Sequence, residues 1–578
     1  MLFAIAILII SGQIFEAGFT SKQTEEFNLL FKPLNLVFSI LSIVMSWYLV
    51  SITKNRIIRF SRIVFFLISL LYAIISLIWW LDLFNPAFDI DGFRMFLALL
   101  IGFLAISFKI ASLGNSSIHP ALLFILSFIF LILFGTFCLM LPAAAYKNIN
   151  FMQAFFTSTS AVTVTGLAVL DTGKDFTLFG QTIILILIQL GGIGILTVTN
   201  IFALLFNSSS TFRNRMMVSD MIKELDSKNT FSTLFKIITM TLLIEIIGAI
   251  LIYFSICNAK GISENAAFFA VFHSVSAFCN GGFSTLSNSL FEESVKYNYY
   301  FQLIICWLII SGGIGYSVMI NHYRVFKNSI LNWLSFLQSP GMMNPKRELV
   351  KTSTNSYIII LTSSILLVMG TFIFYISEYH STLSEHSAFG KVIVSFFNST
   401  TARTAGFNNV NMGELSLPAF MLIMALMWIG ASPGSTGGGI KTTTFALALL
   451  NLWNQIKGTE KLIIKNKEVP ANAINLVNAV ILLSIFAIGS STFLLSGLQP
   501  DIAFKDLLFE SVSAYSTVGL SVGITSSLSQ GSLLVLIILM FLGRVSFLTF
   551  LIGLFSQILK EPEKGPQPYY TKANVFVN

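Results

Sequence analysis

The sequence predicts an all-α polytopic membrane protein: four pseudo-symmetric helix–pore loop–helix repeats around a central pore, plus N-terminal accessory transmembrane helices. Composition is the first ground. Of 578 residues, 55% are hydrophobic and only 10% charged, with a mean hydropathy of +0.82, against about 25% charged residues in soluble domains. The second ground is a set of apolar runs near the roughly 20 residues that a helix needs to cross the hydrocarbon. The third is a short segment, Phe-x-small-polar-x-Ser/Thr-small-x4-Gly-Leu/Phe, present in four gapless copies. They are 156–167 (FTSTSAVTVTGL), 272–283 (FHSVSAFCNGGF), 396–407 (FFNSTTARTAGF) and 509–520 (FESVSAYSTVGL). Their glycines, Gly166, Gly282, Gly406 and Gly519, lie 116, 124 and 113 residues apart, a near-constant period that marks one structural unit repeated four times.

Taken in order, the opening MLFAIAILII lacks a basic n-region and a convincing cleavage site, and reads as a short first membrane segment instead of a signal peptide. Apolar runs follow at 33–52, 61–81, 94–113, 121–142, 178–206, 232–256, 299–322, 355–377, 418–455, 473–497 and 531–559. The copies fall between paired runs, which sets the boundaries: accessory helices 1–115, repeats at 116–230, 231–352, 353–470 and 471–560, and a cytoplasmic tail at 561–578. The accessory region carries no copy of the segment and reads as a scaffold. In repeat three the second run is too long for one span, and its middle, 430–444 (GASPGSTGGGIKTTT), is too rich in Gly, Ser and Pro for a regular helix. The glycine clusters QLGGIGIL (189–196) and ISGGIGYS (310–317) read as sites of close packing or bending.

Orientation follows from Lys and Arg. Loops opposite the copies hold 21 basic residues, among them Arg56, Arg213, Arg324, Lys346 and Lys461; loops on the same side as the copies hold nine, together with most of the acidic residues. That places the re-entrant segments outside and the tail in the cytoplasm, with an acidic outer surface that concentrates cations.

Irregular backbone at membrane depth is tolerated only where protein shields it or where it lines a watery cavity. One Ser/Thr/Gly-rich segment is ordinarily a loop, but four on one side of the membrane point to a shared axis. The first half of each copy reads as a short helix with its partially negative C-terminal end aimed inward, which favours a cation. The second halves, Val164-Thr165-Gly166, Asn280-Gly281-Gly282, Thr404-Ala405-Gly406 and Thr517-Val518-Gly519, read as extended strands that turn carbonyl oxygens to the axis. Such carbonyls replace the hydration shell of an alkali cation. No carboxylate occupies these positions, which argues for a monovalent cation over calcium. Only the fourth copy keeps a Thr-Val-Gly order, so looser discrimination than in a potassium channel is expected.

Isolated residues were weighed against plainer roles. Arg544, in LMFLGRVSFLTF, is either a structural tie to loop carbonyls or a latch holding 430–441 across the ion path; the nearby glycines favour the latch. Lys441 reads as a movable plug or as an anchor. Glu245 interrupts an apolar run and reads as a structural group, paired with Lys236 or turned to a helix contact. GSTGGGIKT (434–442) has one residue too many for a phosphate loop and no strand before it. Neither the four cysteines (Cys138, Cys257, Cys279, Cys306) nor the five histidines have metal-ligand spacing. The basic residues are not clustered for nucleic acid, and no catalytic constellation supports an enzyme.

Over about residues 119–578, and most closely at VTVTGLAVLDTG, the sequence resembles the TrkH/KtrB superfamily of bacterial potassium transporters. The resemblance implies that TVTGL (163–167), CNGGF (279–283), ARTAGF (402–407) and TVGLS (517–521) form a selectivity filter. Its potassium-binding set then extends the strands above by Thr163, Cys279 and Ser516. GASPGSTGGGIKT (430–442) is similar to an intramembrane gating loop, with Gly430, Ser432, Gly434, Ser435, Thr436, Gly437, Gly438, Gly439 and Lys441 as gate residues and Arg544 facing them. Cys279 and Gly281 depart from the family pattern, and the N-terminal region is longer than the two extra helices of TrkH. The resemblance further implies potassium uptake across the bacterial inner membrane, with potassium as substrate and sodium as the other candidate ion. It implies no cofactor in this chain, a homodimer in membrane lipid, and docking on a cytosolic nucleotide-binding regulatory ring of TrkA/KtrA type. A sodium-translocating or poorly selective member is the alternative within the class, and a membrane enzyme or ligand sensor the alternative outside it. Coupling to sodium or protons is left open.

Overall fold

The computed structural model describes residues 12–13, 21–52, 56–81, 94, 97–98, 101, 120–194, 230–256, 265–325, 327, 353–459 and 461–558. The opening segment at 1–10, most of the 94–113 run, the far end of the 178–206 run, the basic loops at 195–229 and 328–352 and the 561–578 tail lie outside the described residues.

At the N-terminus, helices Ser21–Ile52 and Arg56–Trp80 pack side by side. Tyr72 on the second donates its hydroxyl to Asn35 on the first, satisfying two buried polar groups at once. Each of the four units that follow has a first helix, a short helix carrying the repeated segment, and a second helix. Repeat one comprises Pro120–Leu139, Phe151–Thr163 and Leu178–Ile193; repeat two, Thr230–Ile256, Ala266–Phe278 and Tyr299–Gly313. Repeat three comprises Thr354–Glu378, Ala388–Thr401 and Leu417–Trp428; repeat four, Ala471–Leu498, Phe504–Ser516 and Gln530–Val545.

The short helices have 13, 13, 14 and 13 residues, about 20 Å at 1.5 Å per residue, too short to cross hydrocarbon roughly 30 Å thick. They therefore end in the interior. The first helices carry the outward apolar face, with Phe254, Val368 and Phe486 exposed by 70, 69 and 67%, as lipid-facing residues would be.

Two contacts recur and explain why the units stack alike. Serines of the short helices donate to a carbonyl of the first helix: Ser158 to Ile132 at 2.7 Å, Ser274 to Glu245 at 2.6 Å and Ser399 to Leu367 at 3.0 Å. Three residues beyond each accepting carbonyl stands a glycine, Gly135, Gly248 or Gly370, where a Cβ would sit only 2.4–2.5 Å from that serine oxygen. The second contact is between backbones. A Cβ on Gly191, Gly312 or Gly543 would lie 2.1, 1.8 or 1.7 Å from the carbonyl oxygen of Val162, Phe278 or Tyr515. Each second helix also packs on the short helix of the following repeat, and that of repeat four packs on the short helix of repeat one, so the units close into a ring.

Two of the expected spans are broken. The run 299–322 breaks after Gly313 and resumes at Tyr316–Val325 with a 98° bend, inside the cluster 310–317 that reads as a site of packing or bending, whereas the run 531–559 carries no such cluster. The second breaks at Ser546 between Gln530–Val545 and Phe547–Ile558. The reason is local. Three residues beyond each packing glycine the backbone takes positive φ, at Gly194 (82°), Gly315 (93°) and Ser546 (70°), which an α-helix cannot contain. In repeat three the helix ends at Trp428 and resumes only at Thr442–Ile456, as the Gly/Ser/Pro content anticipates. Interruption is thus common to the second helices of repeats two, three and four, that of repeat one ends at the corresponding place at Gly194, and repeat three differs in the length of the insert.

A methyl group at Gly312 or Gly543 has no room, whereas Gly489, inside the first helix of repeat four, has nothing within 4 Å of the Cβ position. Gly312→Ala and Gly543→Ala should each cost about 1–3 kcal/mol through forced displacement, while Gly489→Ala should be neutral or stabilise by up to about 1 kcal/mol. Thermal unfolding of the detergent-solubilised variants measures the contrast, and equal behaviour of the three would contradict the packing described.

Candidate functional site

The ring places the four copies of the repeated segment around one point. Just past each short helix the chain turns left-handed at a non-glycine residue: Val164 (φ 57°), Asn280 (61°), Thr404 (77°) and Thr517 (49°). One residue further on, Thr165, Gly281, Ala405 and Val518 return to negative φ, and Gly166 (91°), Gly282 (67°), Gly406 (82°) and Gly519 (94°) are positive again. A backbone that alternates in hand turns consecutive carbonyls toward one side, where a β-strand would alternate them. Left-handed geometry at valine and threonine is strained for branched side chains.

The glycines meet their neighbours in cyclic order. A Cβ on Gly166 would be 2.7 Å from the Gly281 oxygen, one on Gly282 2.8 Å from that of Ala405, one on Gly406 2.3 Å from that of Val518, and one on Gly519 2.1 Å from that of Thr165. The cycle returns to its start. Each carbonyl belongs to the residue before the next glycine, so four equivalent peptide groups face a common centre at the inner ends of four helices.

Hydroxyls of the short helices hold the strands. Ser160 Oγ accepts from the Gly166 amide at 3.0 Å and Ser513 Oγ from the Gly519 amide at 3.1 Å. Ser276 and Thr401 instead donate to the carbonyls of Phe283 (2.8 Å) and Phe407 (2.6 Å). Ser160, Ser276 and Ser513, which were not expected at the site, occupy the Ser/Thr position of the repeated segment, and Thr401 the position after it. Thr163 Oγ1 donates to Thr159 O at 2.7 Å and lies 2.8 Å from Thr165 Oγ1. Ser516 Oγ and Thr517 Oγ1 are buried without a hydrogen-bond partner among the described residues, an uncommon state for buried hydroxyls.

On one side of the ring opens a cavity of about 390 Å³ that reaches all four glycines and is lined by Asp171, Ser284, Ser287, Asn288, Asn408 and Ser521 among others. On the other side lies the insert of repeat three. Lack of space at Gly437 and Gly438 marks how close it comes: Cβ atoms there would sit 2.1 Å from Thr404 Oγ1 and 2.2 Å from Thr517 Oγ1, and one on Gly439 3.3 Å from Ser516 Cβ. Thr436 Oγ1 donates to Phe278 O at 3.3 Å. The insert is anchored on the broken helix of repeat two, where Ser432 N donates to Gly313 O (3.0 Å) and Tyr316 N to Gly434 O (3.1 Å). Ser435 Oγ bonds back to Ser432 O at 2.6 Å, and Ile440 returns to pair with Ile429 beside Gly430.

The two cations behave differently. Arg544 donates to the carbonyls of Thr436 and Gly191, joining the insert to repeat one. Lys441 Nζ donates to Gly437 O at 2.6 Å, within the insert itself.

Most of the residues expected at the site converge there. Cys279 does not: its Sγ turns away from the ring, 3.5 Å from Gln189 Oε1 and 3.8 Å from Glu245 Oε1. Glu245 takes the second of the two roles read for it, a helix contact, since Gln189 Nε2 donates to it at 3.0 Å. Arg403 likewise points out of the ring, donating to Ser363 Oγ at 3.1 Å. Among the described residues no group of three or more His, Cys, Asp or Glu side chains could hold a metal ion.

Comparison with known proteins agrees with this geometry. The model of the TrkH family, described as cation transport protein, matches residues 119–562. Ktr system potassium uptake protein B of Vibrio alginolyticus is 31% identical over 427 residues, covering 74% of this chain and 89% of that protein. The protein of that name from Bacillus subtilis is 32% identical over 433 residues, covering 75% and 92%. Potassium/sodium uptake protein NtpJ of Enterococcus hirae is 29% identical, covering 76% and 93%. The crystal structure of the potassium transporter TrkH from Vibrio parahaemolyticus superposes with a TM-score of 0.60 at 17% identity, covering 92% of this chain and all of that one, and so shares the fold. These are transport proteins and not enzymes, and the chain is a membrane protein that belongs to the TrkH family of cation transport proteins.

Proposed function

We propose that this chain mediates potassium uptake, passing the ion through the ring of backbone carbonyls around Gly166, Gly282, Gly406 and Gly519. The observation that carries this reading is the cyclic approach of each glycine to the carbonyl before the next. Carbonyl oxygens so arranged replace water around a monovalent cation without carrying net charge. The partially negative C-terminal ends of the four short helices add to the attraction. The unpartnered hydroxyls of Ser516 and Thr517 supply further oxygens on the insert side. The names of the Vibrio and Bacillus relatives support potassium as the ion.

In this reading Thr163 to Gly166, Asn280 to Gly282, Thr404 to Gly406 and Ser516 to Gly519 form the selectivity filter, with Cys279 behind it. The insert from Gly430 to Lys441 is the gate: Thr436, Gly437 and Gly438 lie directly against the filter, Gly439 beside them, and Ser432, Gly434 and Ser435 anchor them. Arg544 is the latch, since its guanidinium joins the insert to repeat one. The four units take the boundaries expected from the sequence. The filter faces outward and the tail lies inside at the inner membrane, as the basic loops suggest. A homodimer docked on a cytosolic nucleotide-binding ring of TrkA/KtrA type completes the assembly; the word "system" in the relatives' names fits a partner subunit. A second reading, transport of sodium beside potassium, is favoured by the name of the Enterococcus relative and by the non-channel sequences of three of the filter strands.

Complementation of a potassium-uptake-deficient host, with sodium and rubidium varied in turn, tests the ion. Gly166→Ser and Gly406→Ser place a side chain at positive φ against a neighbouring carbonyl and should lower potassium-over-sodium discrimination several-fold in flux assays. Unaltered discrimination in both would rule out the filter assignment. Deleting residues 434–439 removes the part of the insert that presses on the ring and should raise flux. If flux stays at the wild-type level, the insert is not a gate.

A further inference from the structure

Three copies share a tie absent from the first. A side chain near the start of the repeated segment bonds to one eleven residues later: His273 Nε2 with Ser284 Oγ at 2.9 Å, Asn398 with Asn409 at 2.8 Å, and Glu510 with Ser521; Ser284 and Ser521 stand on the rim of the cavity. In the first copy Thr157 bonds within its own helix, to Gln153 O at 2.9 Å, and alanine occupies position 168.

The fourth tie is chemically distinct because its inner member is a carboxylate. Glu510 is fully buried. Ser521 donates to one of its oxygens and Thr525 Oγ1 to the other at 3.1 Å, and the two hydroxyls lie 2.9 Å apart. Ser521 and Thr525 both line the cavity in front of Gly519. A hydroxyl has one proton and two lone pairs. With both protons committed to Glu510, neither hydroxyl has one to present to the cavity. What remains are oxygen lone pairs, and the Gly523 amide at 2.9 Å claims one of those on Ser521. His273, whose Nδ1 donates to Phe269 O and leaves Nε2 as the acceptor, commits the one proton of Ser284 in the same way, but only the carboxylate draws two neighbouring hydroxyls into that role at once.

We propose that Glu510 is a positioning residue that orients the Ser521 and Thr525 hydroxyls as acceptors and so creates an outer subsite for a partly dehydrated alkali cation, one step before the carbonyl ring. The paired hydroxyls on one carboxylate belong to the fourth copy, next to the strand with the Thr-Val-Gly order. The subsite acts at entry, on capture of the ion, and leaves passage through the ring unchanged. The inference rests on the transport reading above.

Rubidium uptake in the potassium-uptake-deficient host tests it, with rates normalised to folded transporter measured by size-exclusion of the solubilised protein. Glu510→Ala and Ser521→Ala should raise the KM for external rubidium several-fold while the maximal rate stays within about twofold. Glu510→Gln, whose amide oxygen still accepts from one hydroxyl, should fall between Glu510→Ala and wild type. Because Glu510 acts through Ser521, the double variant should be no worse than Glu510→Ala alone, the non-additivity expected of coupled residues. Unchanged KM in Glu510→Ala, or effects that multiply in the double variant, would overturn the proposal. If Glu510→Ala does not fold, Ser521→Ala and Thr525→Val carry the test, and unchanged KM in both has the same force. A wild-type protein that takes up neither rubidium nor potassium defeats the transport reading itself, whereas wild-type uptake with a KM indifferent to these variants removes only the subsite.

Discussion

Everything in this molecule depends on four backbones meeting where no side chain fits. Between each glycine of the ring and the neighbouring carbonyl the space left for a Cβ is 2.1 to 2.8 Å deep, less than non-bonded carbon–oxygen contacts show. Such an approach requires strands held from behind, since loosely held peptide groups at that distance would relax apart. The hydroxyls of Ser160, Ser276, Thr401 and Ser513 supply the hold, and the short helices that bear them are fixed in turn by glycines on the flanking helices. The hierarchy runs outward from the ring: carbonyls, hydroxyl clamps, buried helix contacts, and finally the lipid-facing apolar surface.

Much of this was legible in the sequence because repetition amplifies weak signals. A single Ser/Thr/Gly-rich segment says little, but four at a fixed period fixed the number of units and the positions of Gly166, Gly282, Gly406 and Gly519. The interruption at 430–441 was visible because Gly, Ser and Pro cluster there. A bend near Gly315 was suggested by the glycine cluster 310–317, though not its sharpness, and the break at Ser546 was not visible at all. Each depends on one residue of positive φ inside a run of high hydropathy, and hydropathy carries no information about backbone hand. Ser546 is the clearer case, since a serine gives no composition signal where a glycine might.

The direction of individual side chains was also beyond the sequence. Cys279 aligns with Thr163, Arg403 and Ser516, and each of the four precedes the residue that begins the left-handed turn, yet the Cys279 thiol faces Gln189 and Glu245, Arg403 reaches Ser363 and Thr163 bonds within its own copy. A shared backbone path leaves each side chain to find its own partner. The repeats therefore keep their backbone contacts while their side chains diverge. This explains how one scaffold can hold an imidazole, an amide and a carboxylate at related positions.

The closing contact of the ring, from Gly519 to Thr165, joins the last copy to the first across more than half the chain. A ribosome delivers the two segments far apart in time, so the first three strands must wait in the bilayer with one side of the site missing. Until the C-terminal unit inserts, no pathway of defined diameter exists. The ring is thus complete only when synthesis of the chain is nearly done.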